Sequence, residues 1–256
     1  MTRGCAAYHW DLFWMLTRTE FRLRDQGTVI GFLWTLLHPL FIFLILHTLF
    51  RHAMAPLIPQ YASCLLIGIV QWNFFSTGTS AGLTSLLRKS GLISSHSFPR
   101  VLVVLSAVSA VLLSHLLEWG VLLAALTALG ARPGLGWLAL PALIAAELAL
   151  VVGVSCLLAV TAVRLRDLER AWSLILYGLF FMTPVFYTAE ALGGSAPNLT
   201  ALNPLAWVIG ATRACVLEGA ARPAAESALI GAALAGFCAA ALALFSRQSR
   251  GIAERL

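Results

Sequence analysis

Apolar residues along this chain come in long blocks separated by short clusters of charge. From Gly31 to Phe50, twenty residues pass without an Asp, Glu, Lys or Arg. As a helix, such a run is about 30 Å long, the thickness of a bilayer's hydrocarbon layer. His38-Pro39 inside it predicts a kink. Blocks at residues 61–83, 101–126, 137–162, 171–188 and 227–245 predict five further spans, the fifth broken by Pro184. The second block is unusual. Gln71, Asn73, Ser76, Thr77, Thr79 and Ser80 crowd its later half, a face suited to protein or an aqueous path rather than to lipid.

Two stretches do not fit plain spans. Residues 8–25 predict an amphipathic helix lying on the membrane surface. At 100° per residue Leu12, Leu16 and Leu23 form one line with Met15 beside it, while Asp11, Arg18, Arg22 and Asp25 cluster away from it. Trp10 and Trp14 flank the apolar line, and Glu20 and Arg24 fall off the polar side. Residues 190–219 follow the fifth span. A loop at 190–202 leads to Asn203-Pro204, a helix start in which Asn caps and Pro takes the first helical position. The helix would stop at Gly219. Its length, about 22 Å, is too short to cross. The fold expected is an all-α membrane protein in one domain, residues 1–256. It has six transmembrane helices, an N-terminal interface helix and a short re-entrant outer helix pair between spans five and six.

Composition agrees: 60% of residues are hydrophobic and 11% charged, against about 25% charged in soluble domains. The net charge of +6 is spread over short loops and forms no basic groove, which argues against a nucleic-acid partner. Thirteen of the 17 Lys and Arg residues fall on the side that would hold both termini and the loops 88–100 and 164–170. Arg51, Arg132, Arg213 and Arg222 fall on the other. This bias places both termini in the cytoplasm. Five scattered cysteines without a CxxC indicate no disulfide framework or metal knuckle. Gly4-Cys5 has no apolar run before it, so no cleavable leader is expected.

Candidate chemistry is sparse. The single lysine, Lys89, precedes Ser90, but Leu83 and Arg88 stand where a phosphate-binding loop needs glycines. No nucleotide site is expected, so ATP-driven work would need another subunit. His115 and Glu118 have an i,i+3 spacing that metal sites use, with Glu147 the one further ligand in view. Buried polar contacts are the expected reading, and no metal is assigned. Glu147 lies deep in a span, where an ionisable group is costly and is paired or functional; Arg213 is a candidate partner. There is no GxSxG and no Ser/His/Asp set to single out. Trp72, Phe74, Phe75, Tyr177, Phe180, Phe181, Phe186 and Tyr187 concentrate aromatic rings around the second and fifth spans. Such rings either pack and anchor or, as a set, line a path along which sugar rings slide. Arg18, Arg22 and Arg24 either anchor to anionic lipid or bind a lipid diphosphate through forked, charge-assisted bonds.

Two stretches together resemble the ABC-2 type permeases that export bacterial polysaccharides such as O-antigen, capsule and teichoic acid. Arg18–Phe50, RTEFRLRDQGTVIGFLWTLLHPLFIFLILHTLF, is similar to the family's charged interfacial helix and Trp- and Pro-bearing first span. Val163–Glu190, VRLRDLERAWSLILYGLFFMTPVFYTAE, with Leu202–Gly219, is similar to its Arg-Asp loop, its Pro-Val-Phe-Tyr span end and its Asn-Pro-Leu outer segment. Gly91–Arg100, GLISSHSFPR, resembles the loop before the third span. Ile30 and Phe32 around Gly31, and Thr183 where many members have Ser, depart from the pattern.

The resemblance implies a half-transporter in the bacterial inner membrane: two copies of this chain above two copies of a cytoplasmic ABC ATPase, which would bind ATP and Mg²⁺. The chain itself would hold no cofactor. It implies docking of the ATPase through the surface helix, Arg88, Lys89, Ser94, His96, Arg164, Arg166, Asp167 and Arg170. It also implies a lateral gate between spans one and five, and gating positions at Pro39, Pro184, Asn203, Pro204 and Arg213. The function implied is export of a polyprenyl-diphosphate-linked polysaccharide. The alternatives are an ABC-2 permease for a drug or simple lipid, and an intramembrane enzyme acting on polyprenyl lipids.

Overall fold

A computed structural model describes residues 2–25, 31–95, 98–165, 167–188, 191, 203–219 and 224–249. Among these every regular element is helical. They are α1 (Thr2–Asp25), α2 (Gly31–Met54), α3 (Tyr61–Arg88), α4 (Ser90–Ser95), α5 (Val101–Ala128), α6 (Leu140–Arg164), α7 (Leu168–Met182), α8 (Pro204–Arg213) and α9 (Ala224–Gln248). A 3₁₀ turn, Leu135–Ala139, precedes α6, and a π turn, Ala214–Glu218, continues α8.

The helix at the centre is α3. It packs against α2, α5, α6, α7 and α8, and its buried positions run all round it. Its polar residues therefore face neighbouring helices, which supply the hydrogen bonds that lipid cannot. The contact with α6 depends on small residues. A side chain at Gly78 would meet Val151 Cγ1, and one at Gly82 would collide with Ser155. Gly78 and Gly82 stand four apart, as do Val151 and Ser155, so two matched stripes let the helix backbones approach closely. On the far side of α6, Gly153 makes room for the ring of Phe237 on α9.

Among the described residues four segments are long and apolar enough to cross a bilayer: Leu33–Met54, Val101–Ala128, Leu135–Arg164 and Glu226–Gln248. Of the six apolar blocks expected to span, four meet both length and hydropathy among the described residues. The two that fall short do so for different reasons. α3 is long enough at 28 residues, but Gln71, Asn73 and its run of Ser and Thr lower its hydropathy. α7 has 15 residues, short of the about 20 a span needs. It ends at Met182 because Thr183 precedes Pro184, and a residue before proline is pushed out of the α region; Thr183 is extended, at φ −92°, ψ 136°.

The N-terminal helix begins at Thr2, earlier than residue 8. It lies against α5, with Leu12, Leu16 and Thr17 buried and Trp10, Trp14, Met15 and Leu23 exposed. Of the outer pair, the member near 190–202 lies almost wholly outside the described residues.

Candidate functional site

The turns at 89–100 and 165–167 share one end of the bundle, because α5 and α6 each run its length between them. At that end Glu20 of α1 meets Lys89 at 2.8 Å and Arg88 at 3.9 Å. Both Glu20 and Lys89 are largely shielded, so this contact locks the surface helix to the start of the 89–100 turn. Arg18, Arg22 and Arg24 remain on exposed positions of α1, and Ser94, Arg164, Asp167 and Arg170 on exposed positions nearby. Asp167 and Arg170 approach to 3.7 Å in full solvent contact, where such a pair is screened and weak. His96 and Arg166 lie outside the described residues. Reversing Glu20 (Glu20→Lys) is expected to lower the thermal midpoint of the purified protein, and the double change with Lys89→Glu to recover most of the loss. Equal losses in single and double variants would show the contact to be incidental.

At the opposite end three segments distant in sequence meet. Asn203 accepts hydrogen bonds from the backbone N–H of Leu205 at 3.0 Å and Ala206 at 3.4 Å, so it caps α8 as its position before Pro204 predicts. Its amide also donates to Thr183 Oγ1 at 2.8 Å. One side chain thereby starts α8 and ties it to the end of α7. Arg213, at the other end of α8, is 7% exposed. Its Nε donates to the Cys64 carbonyl at 3.1 Å, Nη1 to Tyr187 at 3.1 Å and Nη2 to Val185 at 2.7 Å. The rigid fork of a guanidinium suits this task. Gly68 lies directly beneath, where a Cβ would collide with the Val185 carbonyl. The structure thus brings Pro184, Asn203, Pro204 and Arg213 into one corner; Pro39 is buried in α2, away from them in the chain.

Arg213 does not pair with Glu147, contrary to the partnership considered from sequence. Its donors are committed to carbonyls of the corner, whereas Glu147 Oε2 faces His115 Nε2 at 3.9 Å. His115 also approaches Glu118 Oε2 at 3.8 Å, and its Nε2 accepts from Trp119 Nε1 at 2.8 Å. Asn73 donates to both oxygens of Glu118, at 3.1 and 3.3 Å. Gln71 donates to Thr212 Oγ1 at 2.9 Å. All these groups except Asn73 are nearly fully buried. The polar face of α3 thus serves hydrogen bonds to α5 and α8, beside which Glu147 of α6 lies buried, neither carboxylate oxygen hydrogen-bonded among the described residues.

The aromatic positions divide into three groups. Phe74 is 1% exposed and stacks on His115, ring centroids 4.3 Å apart, so it is a core residue out of reach of any polymer. Trp72, Phe180 and Phe186 chain α3 to α7 and the corner through edge and tilted contacts. Phe75 tilts against Trp72, and Tyr187 donates its hydroxyl to the Phe181 carbonyl at 3.0 Å. Only Tyr177 and Phe181 are broadly exposed, at 71% and 63%. Sequence reasoning missed Gly68, Gly78 and Gly82. The GxxxG spacing of the last two was a readable signal; Gly68 carried none.

The family model of the ABC-2 type transporter matches residues 11–217, from the surface helix through the π turn. The chain belongs to this family. Among curated proteins, an O-antigen export system permease protein RfbA of Klebsiella pneumoniae is 29% identical over 213 residues, covering 83% of this chain and 82% of the relative. A second from the same species is 28% identical over the same extent. One from Myxococcus xanthus is 27% identical over 205 residues, 79% of each chain. ABC-2 permeases are transport subunits that work with an ABC ATPase, and the apolar helices make this one a multi-pass membrane protein.

Proposed function

We propose that this permease, as a pair of identical copies, exports a polyprenyl-diphosphate-linked polysaccharide across the bacterial inner membrane, driven by ATP and Mg²⁺ bound on a separate ATPase. The observation that carries the reading is the likeness, over about four-fifths of the chain, to proteins described as O-antigen export permeases. The geometry supports it. Within α7 no residue is buried, and α2 exposes Trp34, Phe41, Leu44, Ile45 and Leu49. These are the faces a second copy and a lateral gate would use. Tyr177 and Phe181 offer rings on that face to a passing glycan, and Arg18, Arg22 and Arg24 offer charge to a diphosphate headgroup. The end bearing Arg88, Lys89, Ser94, Arg164, Asp167 and Arg170 is the ATPase-docking end, and the Lys and Arg bias makes it cytoplasmic. The Asn203–Arg213 corner closes the outer end.

Deleting the permease should empty the cell surface of the glycan while its lipid-linked form accumulates at least tenfold inside. A normal surface glycan in the deletion strain, with altered drug resistance or lipid composition instead, would replace this reading by the drug or simple-lipid alternative.

A further inference from the structure

A cleft of about 250 Å³ opens between the second half of α3 and the first turns of α7. Thr77, Ser80, Thr84, Glu169, Trp172 and Ser173 line it together with the apolar Ala81 and Leu83. The volume is below the about 300–1,000 Å³ of pockets for drug-sized ligands, so it suits one ring rather than several.

The hydrogen-bond inventory of its wall is lopsided. Ser80 Oγ donates to the Ser76 carbonyl at 2.7 Å, Thr84 to Ser80 at 3.2 Å and Ser173 to Glu169 at 3.0 Å. Thr77 donates to Asn73 Oδ1 at 3.4 Å, and the Trp172 indole N–H to Thr79 Oγ1 at 3.2 Å. The wall's donors are therefore turned into the protein. The polar groups left to face the cleft are hydroxyl lone pairs and the Glu169 carboxylate, all acceptors, beside the apolar surface of Ala81, Leu83 and the Trp172 indole. Among the described residues no Lys, Arg or His lines it.

A phosphate, itself all acceptor and negative, is the wrong ligand for such a wall. An acyl chain would strand the polar groups. A ring that carries several O–H donors on its rim and C–H groups on its faces fits both the acceptors and the indole. We propose that this cleft binds one sugar residue of the exported glycan, just inside the end where Arg88 and Lys89 lie, and so holds the glycan apart from its diphosphate anchor. The proposal rests on the export reading above and names the part of the substrate this cleft takes.

The test places a photocross-linking amino acid at Ser173, or at the adjacent, outward-facing Leu174, in the full-length permease co-expressed with its ATPase. Cells that make the lipid-linked glycan are compared with cells blocked in its first sugar transfer. The expected result is a glycan-bearing adduct at 173 at least tenfold above that at 174, absent from blocked cells. Changing Glu169→Gln, at unchanged protein level, should cut the 173 adduct roughly tenfold or more, since hydrogen bonds to a charged group are among the strong ones; Glu169→Asp, which keeps the charge, should retain more of it. Equal labelling at both positions, a 173 adduct with lipid or a second copy of the chain, or labelling that persists in blocked cells would overturn the proposal. Export itself is read separately: if deletion causes glycan to accumulate but 173 yields no glycan adduct, the cleft assignment alone fails.

Discussion

Replacing Arg213 by Met should remove most folded protein from a detergent extract. The guanidinium satisfies carbonyls of Cys64, Val185 and Tyr187 in a setting where Arg213 itself is 7% exposed. A buried acceptor left without a donor costs about 1–3 kcal/mol. Cys64 keeps its helical donor within α3, so the Val185 and Tyr187 carbonyls carry the loss, together about 2–6 kcal/mol, a large part of the margin by which a typical domain is stable. Methionine fills the space and so separates lost hydrogen bonds from a lost side chain. Lysine keeps the charge but cannot span three acceptors with a fork, and Arg213→Lys should fall between. The measurement is the monodisperse peak and thermal midpoint of the solubilised protein. A Met variant within a degree or two of the parent would mean that water takes over the carbonyls and that the corner is only loosely closed.

Gly82→Val should be as damaging by a different route. Even a Cβ at position 82 would collide with Ser155, and contact reaches its backbone. The branched side chain must push α3 from α6, and α6 carries α9 on its other side. Overpacking of one well-filled contact costs roughly 1–3 kcal/mol; here the displaced element also holds the network around Glu147 and His115, so the upper end is expected. The paired change Ser155→Gly gives back space opposite Gly82 and should recover part of the loss in thermal midpoint. If the double variant is no better than Gly82→Val alone, the close approach of the two stripes is not what sets the helix spacing.

What could be read from sequence follows from how local the cause is. The Asn203-Pro204 helix start was legible because a cap and its amides are neighbours in the chain. The end of α7 near Pro184 was legible for the same reason, although the span was drawn to residue 188 rather than Met182. Glu20 looked like an error in an amphipathic pattern; its partner is Lys89, 69 residues on, and no periodicity reports that. Arg213 was matched to a carboxylate because sequence displays charges, whereas its partners are backbone carbonyls that every residue possesses. The polar half of α3 reads from sequence as unfit for lipid and suited to protein or to an aqueous path. In the fold Gln71 and Asn73 take the protein side of that choice, bonding Thr212 and Glu118, while Thr77, Ser80 and Thr84 beyond them line the α3–α7 cleft.

The central place of α3 bears on how the chain gets into the bilayer. A helix with that many hydrogen-bonding side chains has little tendency to leave the translocon for lipid unaided. Its hydrogen-bond partners lie on α5 and α8, which are synthesised after it: Asn73 waits for Glu118 and Gln71 for Thr212. Biogenesis should therefore hold α3 at the insertion machinery as an unfinished intermediate, released fully only when about four-fifths of the 256-residue polypeptide, through Thr212, has left the ribosome.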